Sequence, residues 1–175
     1  MRTGIIMCGL NGAGKSTLGR ALADRLNYRF IDNEDLYFPK TDPDYMYAVE
    51  RTQEEVEELL LNEIKTYGDF VFTSVKGNYE KALPFFDLAV LVSVPREIRL
   101  QRVRERSFKK FGERALPGGD LYEREQGFFE LISSRAENTV EEWLKTFGGR
   151  VIRVDGTKPI SENVDFIAEE IKRQL

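Results

Sequence analysis

Nine residues, Gly9-Leu10-Asn11-Gly12-Ala13-Gly14-Lys15-Ser16-Thr17, constrain the fold of this chain more than any other stretch. They match G-x-x-x-x-G-K-[ST] at every fixed position. Gly9, Gly12 and Gly14 let the backbone turn tightly, including through φ > 0, and bring its N–H groups close to a phosphate. Lys15 supplies a mobile charge for β- and γ-phosphates, and Ser16 Oγ is a ligand for Mg²⁺. The helix that opens here adds the positive end of its dipole. The apolar run Thr3-Gly4-Ile5-Ile6-Met7-Cys8 before the loop reads as a buried parallel strand. Leu18, Ala21, Leu22 and Leu26 after it recur at helical spacing. Strand, glycine-rich loop and helix together are the context a nucleotide site requires, so Gly9 to Thr17 is the candidate nucleotide-binding segment.

Composition narrows the chemistry around that loop. The 175 residues fit one domain, residues 1–175, with room for a real core. Apolar residues at 41% and charged residues at 32% fit a soluble globular enzyme. A net charge of −4 disfavours nucleic acid as a bulk partner. No apolar run reaches transmembrane length and no basic-then-apolar leader opens the chain, so a cytoplasmic setting without membrane contact is expected. The single cysteine, Cys8, excludes an intramolecular disulfide and reads as a small buried hydrophobe. There is no histidine. Carboxylates, lysines, arginines and a bound cation are left to do any chemistry.

Strand and helix signals alternate along the rest of the chain. Tyr28-Arg29-Phe30-Ile31 is a second strand, delivering Asp32, Asn33, Glu34 and Asp35 at its C-terminal end, where ligands bind in parallel α/β sheets. Asp32 and Glu34 are candidates for Mg²⁺ water or an acceptor hydroxyl; a helix-capping turn is the alternative. Residues 36–51 have no clean periodicity and form the irregular part of an expected flap over about 33–66. Thr52-Gln53-Glu54-Glu55 is a capping box opening a helix. Asp69 to Thr73 is a third strand, ending in Ser74-Val75-Lys76-Gly77-Asn78-Tyr79, and Asp87 to Val94 is a fourth. Pro95 starts a helix running to about Arg106, with Arg99, Arg102 and Arg106 on one face. Ser107 to Leu121 is basic and rich in Gly and Pro, as expected of a hinged lid rather than a core element. One long helix is expected from about Asp120 to Phe147, then a fifth strand, Arg150 to Val154, the turn Asp155-Gly156-Thr157 and a last helix from Pro159. The alternation predicts a three-layer α/β/α domain with a parallel sheet.

These motifs resemble the nucleoside-monophosphate-kinase-like branch of the P-loop kinases along nearly the whole chain. The segment Val94 to Arg106 resembles the adenylate kinase stretch entering the lid, which implies Arg102 and Arg106 as contacts for adenine and the ATP phosphates. Arg124 and Arg135 are placed similarly to the arginine pair after that lid. Val154-Asp155-Gly156-Thr157-Lys158-Pro159 resembles the turn beside adenine, which implies Gly156 and Thr157 there. The resemblance also implies the five-stranded sheet order 2-3-1-4-5. The acceptor side departs from it: Thr73-Ser74-Val75-Lys76 stands where adenylate kinases carry Asp-Gly-Phe-Pro-Arg. Ser74, Lys76 and Tyr79 are similar to the sugar-acid stretch of gluconate kinase, and Asp32-x-Glu34 to the Asp-x-Asp of shikimate kinase.

The resulting expectation is an ATP- and Mg²⁺-dependent transfer of a γ-phosphoryl group to a small hydroxyl-bearing metabolite. Lys15, Asp32, Arg106, Arg124 and Arg135 carry catalysis, Ser16 and Asp32 the metal. Asp32, Glu34, Arg51, Ser74, Lys76 and Tyr79 face the acceptor. A nucleoside monophosphate kinase with Arg51 or Lys76 on the acceptor phosphate is a second reading, and an ATP-gated binding module a third.

Overall fold

A computed structural model describes residues 3–173. Five parallel strands form one sheet in the order β2-β3-β1-β4-β5: β1 Gly4–Cys8, β2 Arg29–Asp32, β3 Phe70–Thr73, β4 Leu88–Ser93 and β5 Arg150–Asp155. This is the expected fold and strand order. The helices are α1 Lys15–Leu26, α2 Asn33–Tyr37, α3 Gln53–Tyr67, α4 Arg96–Phe111, α5 Tyr122–Ser134, α6 Thr139–Leu144 and α7 Ile160–Lys172. Among the described residues no helix is long and apolar enough to cross a membrane.

Strand β1 shows how the layers arise. Its side chains alternate between faces, and both faces are apolar. Ile6 and Cys8 pack with Val56, Leu60 and Ile64 of α3. Ile5 and Met7 pack with Leu18 and Leu22 of α1 and Ile167 of α7. Each fully buried aliphatic side chain here contributes about 1.5–3 kcal/mol. Asn27, in the left-handed region at φ 57, stops α1 and turns the chain into β2. The Thr52 capping box forms as expected, with Glu55 N–H donating to the Thr52 hydroxyl and Thr52 N–H donating to the Glu55 carboxylate.

Three expectations along the chain need correction. The basic helix does not stop near Arg106; α4 continues to Phe111, so residues 107–111 are helix and not part of a hinged loop. Ser107 is buried and its hydroxyl donates to Glu125. The single long helix over residues 120–147 is two helices, broken at Arg135, whose backbone is extended (φ −65°, ψ 132°). Of the apolar residues along it, Phe129, Ile132, Val140 and Leu144 are buried while Leu131 is 55% exposed. Val103 of α4 with Phe129 and Ile132 of α5 makes a small separate core off the sheet.

Candidate active site

The loop between β1 and α1 lies at the C-terminal edge of the sheet, flanked by β3 and β4. Its glycines are needed where they stand. Gly12 and Gly14 have φ 83° and 90°. A Cβ on Gly12 would lie 2.3 Å from the carbonyl oxygen of Arg99, because the first turn of α4 packs directly on the loop. Gly9 N–H donates to Val75 O at 3.2 Å, tying the loop to the segment after β3.

Lys15 folds back over the loop, its Nζ donating to Leu10 O at 3.1 Å. Burial pushes its pKa down to about 8, the neighbouring Arg106 and Arg135 push the same way, and Asp32 opposes them. Ser16 and Thr17 are exposed on the first turn of α1. The arrangement of cations is asymmetric. Arg135 Nη1 donates to Asn11 Oδ1 at 2.6 Å. Arg102 bridges the loop to the turn after β5, donating to Gly12 O at 3.4 Å and to Gly156 O at 3.3 Å. Thr157 closes that turn, its hydroxyl and N–H both donating to Asp155 Oδ1. Arg106 makes no hydrogen bond or ion pair among the described residues. Cations that converge and lack anions fit a polyphosphate. Thr73, in register with Asp32 at the end of β3, has a buried hydroxyl without a partner among the described residues. That spare polar capacity lies on the strand between the one that carries the loop and the one that carries Asp32.

On the acceptor side the expected residues separate. Asp32 caps α2 and accepts from Glu34 N–H at 3.0 Å. Glu34 lines a cavity of about 460 Å³ together with Arg106 and Arg124. Its carboxylate accepts from the Tyr47 hydroxyl at 3.2 Å and has Lys40 and Lys110 at 3.5 and 3.7 Å. Arg124 lies over the Tyr45 ring, 5.1 Å from its centroid. The other candidates lie elsewhere. Tyr79 is 6% exposed, packs on Phe72 and donates to Asn33 Oδ1, fastening α2 to the core. Arg51 is committed to Leu36 O at 2.8 Å. Ser74 is buried, its N–H donating to Met7 O, and Lys76 is half-buried in the turn beyond it.

Sequence reasoning missed two functional groups. Arg99 is 3% exposed; it donates to Val94 O and Asn11 O and takes Glu137 at 2.7 and 2.8 Å. Sharing one face with Arg102 and Arg106, it carried no local sign of burial. Glu125, also 3% exposed, accepts from Ser107 Oγ at 2.6 Å and Tyr45 Oη at 2.9 Å. Its signal was a carboxylate inside the stripe Leu121, Phe128, Phe129, Ile132, where a charge is costly unless hydrogen-bonded.

A parallel sheet in this order, with a phosphate loop after its central strand and arginines closing from α4 and α5, defines a P-loop nucleotide-binding protein of the kinase type. The chain belongs to the family described as AAA domain, which matches residues 5–115. It is 28% identical over 178 residues, 97% of each chain, to the uncharacterized protein YqaC of Bacillus subtilis (strain 168). It is 36% identical over 80 residues to shikimate kinase of Chlamydia pneumoniae, 46% of this chain and 39% of that one. Among solved structures, a gluconokinase from Sinorhizobium meliloti 1021 matches its fold with a TM-score of 0.56 at 17% identity, covering 99% and 97% of the two chains.

Proposed function

We propose that this protein is a cytoplasmic ATP- and Mg²⁺-dependent kinase that phosphorylates a hydroxyl of a small metabolite. The observation that carries the proposal is the gathering of Lys15, Arg106 and Arg135 at the phosphate loop, opposed only by Asp32 among the charged groups that act on Lys15. Phosphoryl transfer needs positioning and charge neutralisation more than covalent work from the protein. Lys15 and the loop N–H groups hold the β- and γ-phosphates. Ser16 Oγ, with Asp32 through water, would hold Mg²⁺, which when bound neutralises charge on the transferring group. Asp32 also orients the acceptor hydroxyl and takes up its proton. Arg106, Arg124 and Arg135 neutralise the γ-phosphoryl oxygens from the α4–α5 side.

A second reading, a nucleoside monophosphate acceptor, is favoured by Arg106 and Arg124, which line one cavity and form no ion pair among the described residues. Phosphoryl transfer from labelled ATP to a panel of hydroxylated metabolites, nucleosides and nucleoside monophosphates tests both. Product from a hydroxyl acceptor supports the first reading, product from a monophosphate the second. No transfer to any acceptor, with ATP bound, leaves only the binding module.

Nucleotide binding is expected to depend on pH through Lys15. In the free protein its pKa is about 8, and a polyphosphate favours the charged form and raises it. Binding therefore takes up a proton just above pH 8, and affinity falls as pH rises through that range. Calorimetric titration with ATP at pH 8.5, in two buffers of different ionisation enthalpy, is expected to give different apparent heats. Equal heats would mean that Lys15 does not titrate on binding.

A further inference from the structure

The 38–50 loop lines the 460 Å³ cavity together with α4 and α5, and Tyr45 fastens it to them. The loop first fixes Tyr45 at its own end. Asp42 Oδ1 accepts from the N–H groups of Asp44 and Tyr45, both at 2.9 Å, and Tyr45 O accepts from Ala48 N–H at 2.9 Å. From the turn after α4, Arg114 Nη1 donates to Asp44 O at 2.9 Å. The Tyr45 ring lies 5.4 Å from that of Phe111 and 5.7 Å from that of Tyr47. Its hydroxyl donates to the buried Glu125, which Ser107 of α4 holds in turn. Burial, then the Glu125 carboxylate, push that hydroxyl well above the usual phenol range, so it stays a donor.

Arg124 stands next to Glu125 on α5. Successive residues of a helix point about 100° apart, so one ring meets both. Its tip bonds Glu125, and its face carries Arg124, whose guanidinium carbon is 5.1 Å from the ring centroid. Arg124 is otherwise exposed and makes no hydrogen bond or ion pair among the described residues. An exposed arginine samples many rotamers, and holding it in one costs entropy that contact with a ring face offsets. A carboxylate would also hold the side chain, but it would occupy the N–H donors, as Glu137 does for Arg99 and Asp120 for Arg114. A ring face uses none of them. Arg124 is therefore held with its donors free for phosphoryl oxygens.

We propose that Tyr45 is a positioning residue for Arg124, its ring setting that arginine only while the 38–50 loop is seated on α4 and α5. The role rests on the kinase reading in so far as Arg124 serves the transferring phosphoryl group. The loop that walls the cavity then also sets one cation of the reaction. An unseated loop leaves Arg124 free and transfer slow.

NMR relaxation of nitrogen-labelled arginine side chains in the ligand-free protein reads Arg124 directly, its Nε–H resonance assigned by its loss in Arg124→Lys. In the wild type this group is expected to be ordered and shifted upfield by the ring. In Tyr45→Leu it is expected to move on the ps–ns timescale and to lose the shift. Tyr45→Phe keeps the ring face and drops the bond to Glu125, so it is expected to fall between the two. Steady-state transfer from ATP to the best acceptor of the panel above reads the consequence. Tyr45→Leu is expected to lower kcat about tenfold or more with KM for ATP near its wild-type value, since a misplacement of about 1 Å costs up to about 100-fold. In an Arg124→Ala background the same change is expected to add little, because both act through one group. A mobile, unshifted Arg124 in the wild type overturns the proposal, and that result needs no Tyr45 variant to fold. Unchanged kcat in Tyr45→Leu, or additive losses in the double variant, also overturn it. So does a rise in kcat, which would mean that the ring withholds Arg124. Transfer that survives Arg124→Ala removes the role of Tyr45 and spares the kinase reading. An Arg124 ordered by Tyr45 in a protein that phosphorylates no acceptor supports the positioning and removes the kinase reading.

Discussion

Lys15→Ala is expected to lower phosphoryl transfer by more than about 100-fold, the loss typical of removing one preorganised electrostatic donor. The fold is expected to survive. The Lys15 ammonium is desolvated in the ligand-free protein, which pushes its pKa down to about 8 from the ordinary lysine value of 10.5. A lysine whose folded pKa lies below its unfolded value opposes folding where it is charged in both states. That opposition is complete below pH 8 and fades as pH rises from 8 to 10.5. Removing the charge at pH 7 is therefore expected to leave the melting temperature of the free protein unchanged or raise it. Nucleotide is expected to stabilise the variant less than the wild type. Initial rates and calorimetric melts, with and without ATP, measure both effects. Activity within a few-fold of wild type would remove Lys15 from the mechanism and the kinase proposal with it.

The other large effect is expected at Arg99. Its guanidinium holds three things in place: Val94 O at the end of β4, Asn11 O in the phosphate loop, and Glu137 beside Arg135. Arg99→Met deletes its four hydrogen bonds to these three groups. Glu137 has a half-exposed side chain and rehydrates at little cost. The two carbonyls lose buried donors, at about 1–3 kcal/mol each, so a stability loss of about 2–5 kcal/mol is expected in urea unfolding. The loop that carries Asn11 and the break that carries Arg135 then lose their common anchor, and kcat is expected to fall more than KM rises. Arg99→Lys is not a rescue, because an ammonium cannot serve three acceptors in the geometry of a planar fork. Glu137→Gln separates the parts: it spares the carbonyl bonds, so it is expected to leave stability within about 1 kcal/mol while still lowering kcat. Full activity in both variants would show that Arg135 needs no positioning from α4.

The alternation of strand and helix was legible because each element carries its own period. Ile5, Ile6, Met7 and Cys8 announce a strand buried on both faces, and Thr52 with Glu55 announces a helix start from four residues. The loop from Gly9 to Thr17 was legible for a related reason: its glycines answer a backbone requirement that only a few residue types satisfy, and Gly12 at φ 83° against the Arg99 carbonyl meets it. The length of α4 was less visible. Lys109 and Lys110, with Pro117, Gly118 and Gly119 beyond them, suggested a hinged lid, yet the helix persists to Phe111, with Ser107 held by Glu125 on its buried side.

What only the tertiary structure decided are the contacts between residues far apart in the chain. Arg135 reaches Asn11 across 124 positions, and Tyr45 reaches Glu125 across 80. No local period encodes either pair. The same limit separates Arg99 from Arg102 and Arg106, which share one helix face in the sequence. The first turn of α4 presses on the phosphate loop, so Arg99 is buried as an anchor while Arg106, two turns on, opens into the cavity. Tyr79 shows the converse: a residue placed near the acceptor by its motif is taken into the core by Phe72 and Asn33. Sequence by itself determined the phosphate loop and the layered sheet, because hydrophobic period and backbone permissiveness act within a few residues. Which charged side chains are anchors and which remain free for a ligand was decided by burial, and burial is set by the elements that pack over a residue.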